Sequence, residues 1–309
     1  MTKTKNDLNG WLIIDKPYTM GSTQVVSKLK WLLSPKKIGH AGTLDPLATG
    51  VLPIALGKAT KTIQYVMDGV KTYEFAVKWG IETSTDDVEG GVVFESEERP
   101  TRAQIENILP RFTGDVTQIP PKYSALKIDG KRAYELARAG EDVEMKPRQI
   151  HIDSLKILHH DAAAGETHFE VVCSKGTYVR TIGHDLGRAL GCYGHITKLR
   201  RTKCGPFEIK DAILLANMEK NDYNSNACGI LPLGAALSDI SVLAVNKEEA
   251  AHLMAGRPIK AGGRGNFQTV LADTVFALEC QNQVIALAKF EQGLLKPFRV
   301  LAEDLNNNT

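Results

Sequence analysis

The sequence predicts an α+β protein carrying a small, mostly β module at its C-terminal end. Three observations predict it. The 309 residues exceed one typical domain of about 150 residues. Stretches with the 3.6-residue apolar period of a helix are interleaved with stretches that alternate every second residue. Beyond about residue 239 the pattern changes to one short capped helix followed by short strands. With 43% hydrophobic and 24% charged residues, the composition excludes disordered, collagen-like and disulfide-dense classes.

Trp11 to Ile14 reads as a short buried strand. Ser22 then reads as the cap of a helix whose apolar positions Val25, Val26, Leu29, Leu32 and Leu33 follow the helical period, and Pro35 stops it. Residues 38 to 57 mix glycines and two prolines with apolar residues, which reads as a buried loop of the kind that marks a site. Lys71 to Trp79 alternates as a half-buried strand with Tyr73, Phe75, Val77 and Trp79 on the inner face. Residues 101 to 109 fit a short helix, and 119 to 150, rich in Lys and Arg, an exposed excursion. His168 to Cys173 reads as a strand, followed by a helix with Val179, Ile182, Leu186 and Leu190 on one stripe. The main unit is thus expected over 1–238 and the small module over 239–303. In that module Asn246 with Glu249 forms a capping pattern, and Val275 to Cys280 and Val284 to Phe290 read as strands. Residues 304–309 are expected to be a disordered tail.

The N-terminal MTKTKNDLNG lacks an apolar signal stretch, and no run approaches the roughly 18 apolar residues of a membrane span, so a cytoplasmic protein free of membrane is expected. The five cysteines at 173, 192, 204, 228 and 280 form no CxxC pair and suggest neither a disulfide framework nor a zinc knuckle. Charge is segregated. Residues 1–62 carry a local balance of +6, residues 63–100 one of −6, and residues 171–210 one of +6. If the two basic segments meet they form a face suited to phosphates; the alternative is solvated helix faces.

Two motif matches fail. Gly57-Lys58-Ala59-Thr60 ends like a phosphate loop, but Leu52 stands where the first glycine belongs and Ala59 follows the lysine. His159-His160-Asp161 would place neighbouring ligands on opposite faces of a strand, so no metal site is expected. The segment Gly39-His40-Ala41-Gly42-Thr43-Leu44-Asp45-Pro46-Leu47-Ala48-Thr49-Gly50-Val51-Leu52 is the informative one. Asp45 stands there among Leu44, Pro46, Leu47, Val51 and Leu52, and a carboxylate in such a setting is costly unless a cation pairs with it. Taken alone, Asp45 could instead shape an Asp-Pro turn, Tyr73 be a core tyrosine and His40 a packing residue.

That segment resembles the catalytic motif of the pseudouridine synthases, specifically the tRNA pseudouridine-55 synthase family, whose pattern G-H-x-G-T-L-D-P-x-A-x-G-V-L it matches at every fixed position. Five further motifs match in order. They are Asp15-Lys16-Pro17; Lys71-x-Tyr73; Ser124-Ala125-Leu126-Lys127 with Gly130, Arg132, Tyr134, Ala137, Arg138 and Gly140; Gly176-Thr177-Tyr178-Val179-Arg180-Thr181; and Leu199-Arg200-Arg201-Thr202 before Gly205-Pro206-Phe207. One departure is visible: Thr19 stands where the family usually has Gly, and Gly21 where it has Thr or Ser.

The resemblance implies a mixed, largely antiparallel sheet with flanking helices, an RNA-binding insertion over about 119–150, and a C-terminal module of the PUA type. It implies isomerisation of uridine 55 in the T loop of tRNA to pseudouridine, without metal or organic cofactor, by a monomer needing no protein partner. Asp45 would be the catalytic carboxylate, Arg180 its cation through a two-bond fork, and Tyr73 the ring that stacks on the target base, its hydroxyl or a water it holds serving as the base at C5. Tyr178 would contact the flipped nucleotide, Leu199 would cover the pocket, Lys16 would bind substrate, His40 would fill the gap the base leaves, and Lys127, Arg132, Arg200 and Arg201 would hold phosphates. Two rivals share many of these features: a non-catalytic tRNA-binding or tRNA-folding protein, and a guide-RNA-dependent relative.

Overall fold

The computed structural model describes residues 5–124, 126–128, 130–141, 143–218, 229–263, 273–302 and 304–305, with Lys127 and Arg132 described by their backbone. Ala125, Cys228 and residues 306–309 of the expected tail lie outside the described residues. Among the described residues no helix is long and apolar enough to cross a membrane.

In chain order the first elements are β1 (Gly10–Lys16), α1 (Ser22–Leu33), β2 (Ile38–His40), β3 (Thr49–Leu56), α2 (Ile63–Asp68) and β4 (Lys71–Trp79). Ser22 does not cap α1. Gly21 does, its N–H accepted by Gln24 Oε1 at 2.7 Å, because the Ser22 hydroxyl turns inward to the backbone of Leu44. Residues 38 to 57 are also not one loop. The apolar run after Thr49 is a buried strand paired antiparallel with β1, and only residues 41–48 connect β2 to β3.

There follow β5 (Ile81–Thr83), β6 (Val92–Glu95), α3 (Arg102–Ile108) behind a Thr101/Gln104 capping box, and β7 (Gly114–Gln118). The basic excursion holds a two-residue hairpin, β8 (Lys127–Ile128) with β9 (Lys131–Arg132), and α4 (Ala133–Arg138). It ends before residue 150, since Arg148 already opens the long strand β10 (Arg148–Asp161). The chain continues as β11 (Glu166–Cys173), α5 (Val179–Ala189), β12 (Gly194–Cys204), β13 (Phe207–Glu208) and β14 (Ile213–Leu214).

Apart from the separate pairs β5–β6 and β8–β9, these strands form one ten-stranded sheet in the order β14-β1-β3-β12-β4-β11-β10-β7, with β2 beside β3 and β13 beside β12. Only the β1–β14 and β3–β12 pairs are parallel, so the sheet is mixed and largely antiparallel, the architecture the resemblance implied. At the β3–β12 contact Gly50 has φ +99° and a Cβ there would meet the Arg201 carbonyl oxygen at 2.1 Å. Only glycine lets these two strands touch.

Two apolar clusters flank the centre of the sheet. One joins β4, β10, β11 and α5 around Phe75, Trp79 and Phe169, the other joins β1, β3 and α1 around Leu12, Leu29 and Leu52. Tyr73 and Leu199 pack against both clusters, at the seam between them. A second sheet of five strands lies beyond: β15 (Ser241–Ala244), β16 (Ile259–Lys260), β17 (Val275–Cys280), β18 (Gln283–Glu291) and β19 (Leu294–Val300), with helix α6 (Lys247–Met254) capped by Asn246. It rests on the main unit through Leu237, Ala277, Leu287 and Leu301, with Tyr65 and Leu233 packed against them, and through Lys61 Nζ on the Val300 carbonyl at 2.7 Å. Leu305, at the start of the expected tail, packs on this module's own core.

Candidate active site

A cavity of about 570 Å³ opens at the seam, lined by residues 42–45, Lys71, Tyr73, Arg148, Ser174 to Arg180, Leu199 and Arg201. Asp45 sits on its wall in the 41–48 loop, its side chain 38% exposed. Both flanking peptides are held. Ser22 Oγ accepts from the Leu44 N–H at 2.8 Å and donates to the Leu44 carbonyl at 2.9 Å. Lys16 Nζ donates to the carbonyls of Pro46, Pro17 and Met20 at 3.0, 2.9 and 2.6 Å. The Ala48 N–H closes the turn onto the Asp45 carbonyl at 3.1 Å. The carboxylate is therefore presented by a backbone with little freedom.

Arg180, in the first turn of α5, donates from Nε to Asp45 Oδ2 at 2.9 Å. The expected two-bond fork is not made. Nη1 and Nη2 are taken by the carbonyls of Thr85 and Tyr123 at 3.0 and 2.8 Å, and Asp87 lies 3.8 Å from Nη1. The guanidinium is nearly fully buried, so each of these acceptors satisfies a donor that would otherwise be costly. Asp87, Thr85 and Tyr123 escaped the sequence reading. Asp87 belongs to the acidic 63–100 stretch, and its one local mark in the sequence is the Asp86-Asp87 pair, which falls in the turn after β5.

Tyr73 and Leu199 line the cavity from neighbouring strands, β4 and β12. Burial pushes the Tyr73 phenol up to about 12, with Arg201 opposing, so the hydroxyl is neutral at physiological pH. Tyr178 lines the cavity as well, its backbone clamped by Gln118 through bonds of 2.8 and 3.0 Å, and burial raises its phenol too.

Three basic residues expected to touch substrate are occupied elsewhere. Arg201 is 1% exposed, with Nε on the Val51 carbonyl at 2.8 Å and Nη2 on the Gly42 carbonyl at 3.1 Å, so it is a strut of the loop and not a phosphate contact. Arg200 forks Asp15 at 3.1 and 2.7 Å, which takes one N–H of each Nη. Lys16 is fully buried, and burial pushes its amine down to about 8 against the pull of Asp45. His40 stands on β2, half-buried and outside the cavity lining. The side chains of Lys127 and Arg132 lie outside the described residues. The two basic segments do meet where β12 joins β3; of their residues Lys16, Arg180 and Arg201 are interior and Arg200 is paired with Asp15.

A large mixed sheet with Asp45 at its central seam and Arg180 bonded to it is the arrangement that the resemblance to the pseudouridine synthases implied. The model of the TruB family pseudouridylate synthase N-terminal domain matches residues 30–179, and that of the tRNA pseudouridylate synthase B C-terminal domain matches residues 180–238. The chain is 49% identical over 303 residues to tRNA pseudouridine synthase B of Rhizobium etli, covering 96% of each chain. It is 45% identical over 318 residues to that of Brucella anthropi, covering 96% of this chain and 97% of the relative. The chain belongs to the TruB family of tRNA pseudouridine synthases. Among solved structures, a chain of a Cbf5-Nop10-Gar1 complex superposes with a TM-score of 0.74 at 23% identity, over 96% of this chain and 85% of that one. A chain of an H/ACA RNP bound to a substrate RNA containing 2'-deoxyuridine superposes at 0.72 and 21% identity, over 98% and 92%. At these identities the likeness is one of fold.

Proposed function

We propose that this chain, acting alone in the cytoplasm, converts uridine 55 in the T loop of tRNA to pseudouridine. The observation that carries the reading is the Asp45 carboxylate, held by its two flanking peptides and by Arg180, on the wall of a cavity large enough for a nucleotide.

The target base must leave its stack to reach that cavity, at a cost of a few kcal/mol. Asp45 then meets the electron-poor sugar as the carboxylates of glycosidases do. Attack at C1′, addition at C6 and removal of a 2′ proton all begin from this carboxylate. Uracil leaves as a delocalised anion, so no strong general acid is needed, and it rejoins through C5. Tyr73 stacks on the base. Its hydroxyl, or a water that it holds, serves as the base for the C5 proton. Tyr178 and Leu199 close the pocket, while Lys127, Lys131, Arg132 and Arg138 of the insertion grip phosphates without reading sequence.

The test is purified chain, alone, on an unmodified tRNA transcript with tritium at C5 of its uridines. One tritium should be released per tRNA, and none when uridine 55 is replaced by cytidine. Tight binding without release would favour a tRNA-binding or tRNA-folding protein. Release that requires added guide RNA and further proteins would favour the guided reading.

A further inference from the structure

Among the described residues that line the cavity, Asp45 and Asp68 carry the carboxylates, and the mechanism above uses Asp45 alone. Simple electrostatics disfavours a carboxylate where Asp68 stands. It is the last residue of α2, at the end of the helix that bears partial negative charge, and it faces a site for a polyanion. What it does there is hold a lysine: Asp68 Oδ1 accepts from Lys175 Nζ at 2.7 Å and from Gln64 Nε2 at 2.8 Å. Lys175 also lines the cavity, with its side chain 63% exposed and that of Asp68 41%, whereas Lys71, Arg180 and Arg201 are buried in the same cavity. The pair therefore lies at the mouth. It joins the two chains just past the β4–β11 ladder, whose end sets Lys71 opposite Cys173. The backbone around Lys175 is fastened, Thr177 Oγ1 donating to the Ser174 carbonyl at 3.0 Å and the Ser174 N–H to the His151 carbonyl at 2.9 Å, so a change of partner needs only the lysine side chain to move.

An ion pair as exposed as this one is screened by water and salt and makes a poor rivet, but it is readily exchanged. RNA brings the exchange partner to this place. When a flipped nucleotide enters a cavity, base and sugar go in while the backbone runs on in both directions, which leaves the two flanking phosphates at the mouth. We propose that Lys175 binds one of the two phosphodiesters that flank the target nucleotide, and that Asp68 is its holding site in the free protein, the ammonium passing from carboxylate to phosphate as the nucleotide enters. Held on Asp68, a long, rotamer-rich side chain is already ordered at the mouth, so less freedom is lost when the phosphate arrives. The inference rests on the reading that a nucleotide of RNA enters this cavity.

Filter binding of unmodified tRNA over a range of salt tests it, with Asp45→Asn in every protein so that no substrate is consumed. Lys175→Gln should weaken binding about three- to tenfold at low salt and reduce the slope of log affinity against log salt by about 0.7–0.9. Asp68→Asn should act in the opposite sense and tighten binding about two- to fivefold, because the lysine no longer has to leave a carboxylate. That gain should be smaller when Lys175 is already Gln. An Asp68→Asn variant that bound more weakly would make the pair a structural tie, and an equal gain in both backgrounds would make Asp68 a plain like charge. Unchanged affinity and slope in Lys175→Gln would take the lysine off the RNA. Any of the three overturns the proposal. A second measurement changes the RNA, using a T-arm stem-loop with a neutral methylphosphonate at either linkage flanking uridine 55. At one of the two linkages the parent protein should lose the factor that Lys175→Gln costs, and the Lys175→Gln protein should lose little more. Equal losses in both proteins at both linkages would overturn the contact. The expected pattern in a chain that, with Asp45 intact, releases no tritium would count against the proposed function and leave the exchange standing.

Discussion

Ser22 Oγ holds both the N–H and the carbonyl of Leu44, at 2.8 and 2.9 Å, so the first residue of α1 sets the backbone immediately before Asp45. Ser22→Ala would leave two buried backbone groups without that partner. The expected outcome is a loss of about 1–3 kcal/mol in denaturant unfolding and a fall in kcat larger than any change in KM, because the carboxylate loses its aim and not its contacts with RNA. An unchanged kcat would mean that Lys16 and Arg180 suffice to hold the loop.

Arg180→Lys should lower the single-turnover rate by orders of magnitude although the charge is kept. One ammonium cannot serve Asp45 Oδ2 and the carbonyls of Thr85 and Tyr123 from a buried position. Asp45→Asn should abolish tritium release while tRNA affinity in filter binding stays within a few fold. Near-normal turnover by either variant would refute the roles assigned to the pair.

Tyr73→Phe keeps the ring and removes the hydroxyl, so tRNA binding should persist while product formation falls. The phenol also makes a claim of its own. Held up to about 12 against an ordinary 10.0, it stays protonated in the fold at pH values where the unfolded chain has lost that proton, so folded-state stability falls as pH rises past 10. Ultraviolet titration should show wild type and variant gaining phenolate equally up to about pH 10.5. A missing step near pH 10 in the variant would show that Tyr73 ionises normally.

Thr19 occupies the left-handed region with φ 67°, where the family usually has glycine. The turn therefore keeps its shape, and a β-branched residue bears strain there of roughly 1–2 kcal/mol. Part of that returns as lost chain entropy on mutation to glycine. Thr19→Gly should stabilise the protein by about 0.5–1 kcal/mol in urea unfolding, with turnover unaltered; a destabilised variant would show that the turn is not strained.

Burial pushes the Asp86 carboxyl up to about 6, with His184 and Arg180 opposing and Glu82 and Asp185 reinforcing. The folded state thus holds a proton that the unfolded chain has released above about 3.8, and stability falls as pH rises from about 4 to 6. Asn accepts the same left-handed backbone, φ 61° at Asp86. Asp86→Asn should raise stability at pH 7.5 by about 1–2 kcal/mol, allowing for solvent at the cavity that Asp86 lines. The gain should vanish below pH 4 in thermal melts. A gain that persists at low pH would assign it to something other than the carboxyl's charge.

Much of the chemistry was legible in the chain. Asp45 sits inside a fourteen-residue motif, the alternation of Lys71 to Trp79 turned Tyr73 inward, and the arginine in the first turn of α5 followed from the 176–181 motif. Local rules reach these because each depends on neighbours within a few residues. The strand β12 did not show itself: Gly194–Cys204 is polar and basic, without clean alternation, and it is a strand because β4 and β3 supply its hydrogen bonds from far along the chain. The same tertiary pairing decided which basic residues are free. By resemblance Lys16 was expected at the substrate and Arg200 and Arg201 at phosphates. Whether a long cationic side chain reaches solvent or folds back onto carbonyls depends on what the sheet places above it. Here Arg201 donates to Gly42 of the 41–48 loop and to Val51 of β3, Arg200 meets Asp15 of β1 across β3, and Lys16 finds three carbonyls within 3.0 Å. Residue types determined which groups could act at this site, and contacts between strands distant in sequence decided which of them line the cavity and which hold the ones that do.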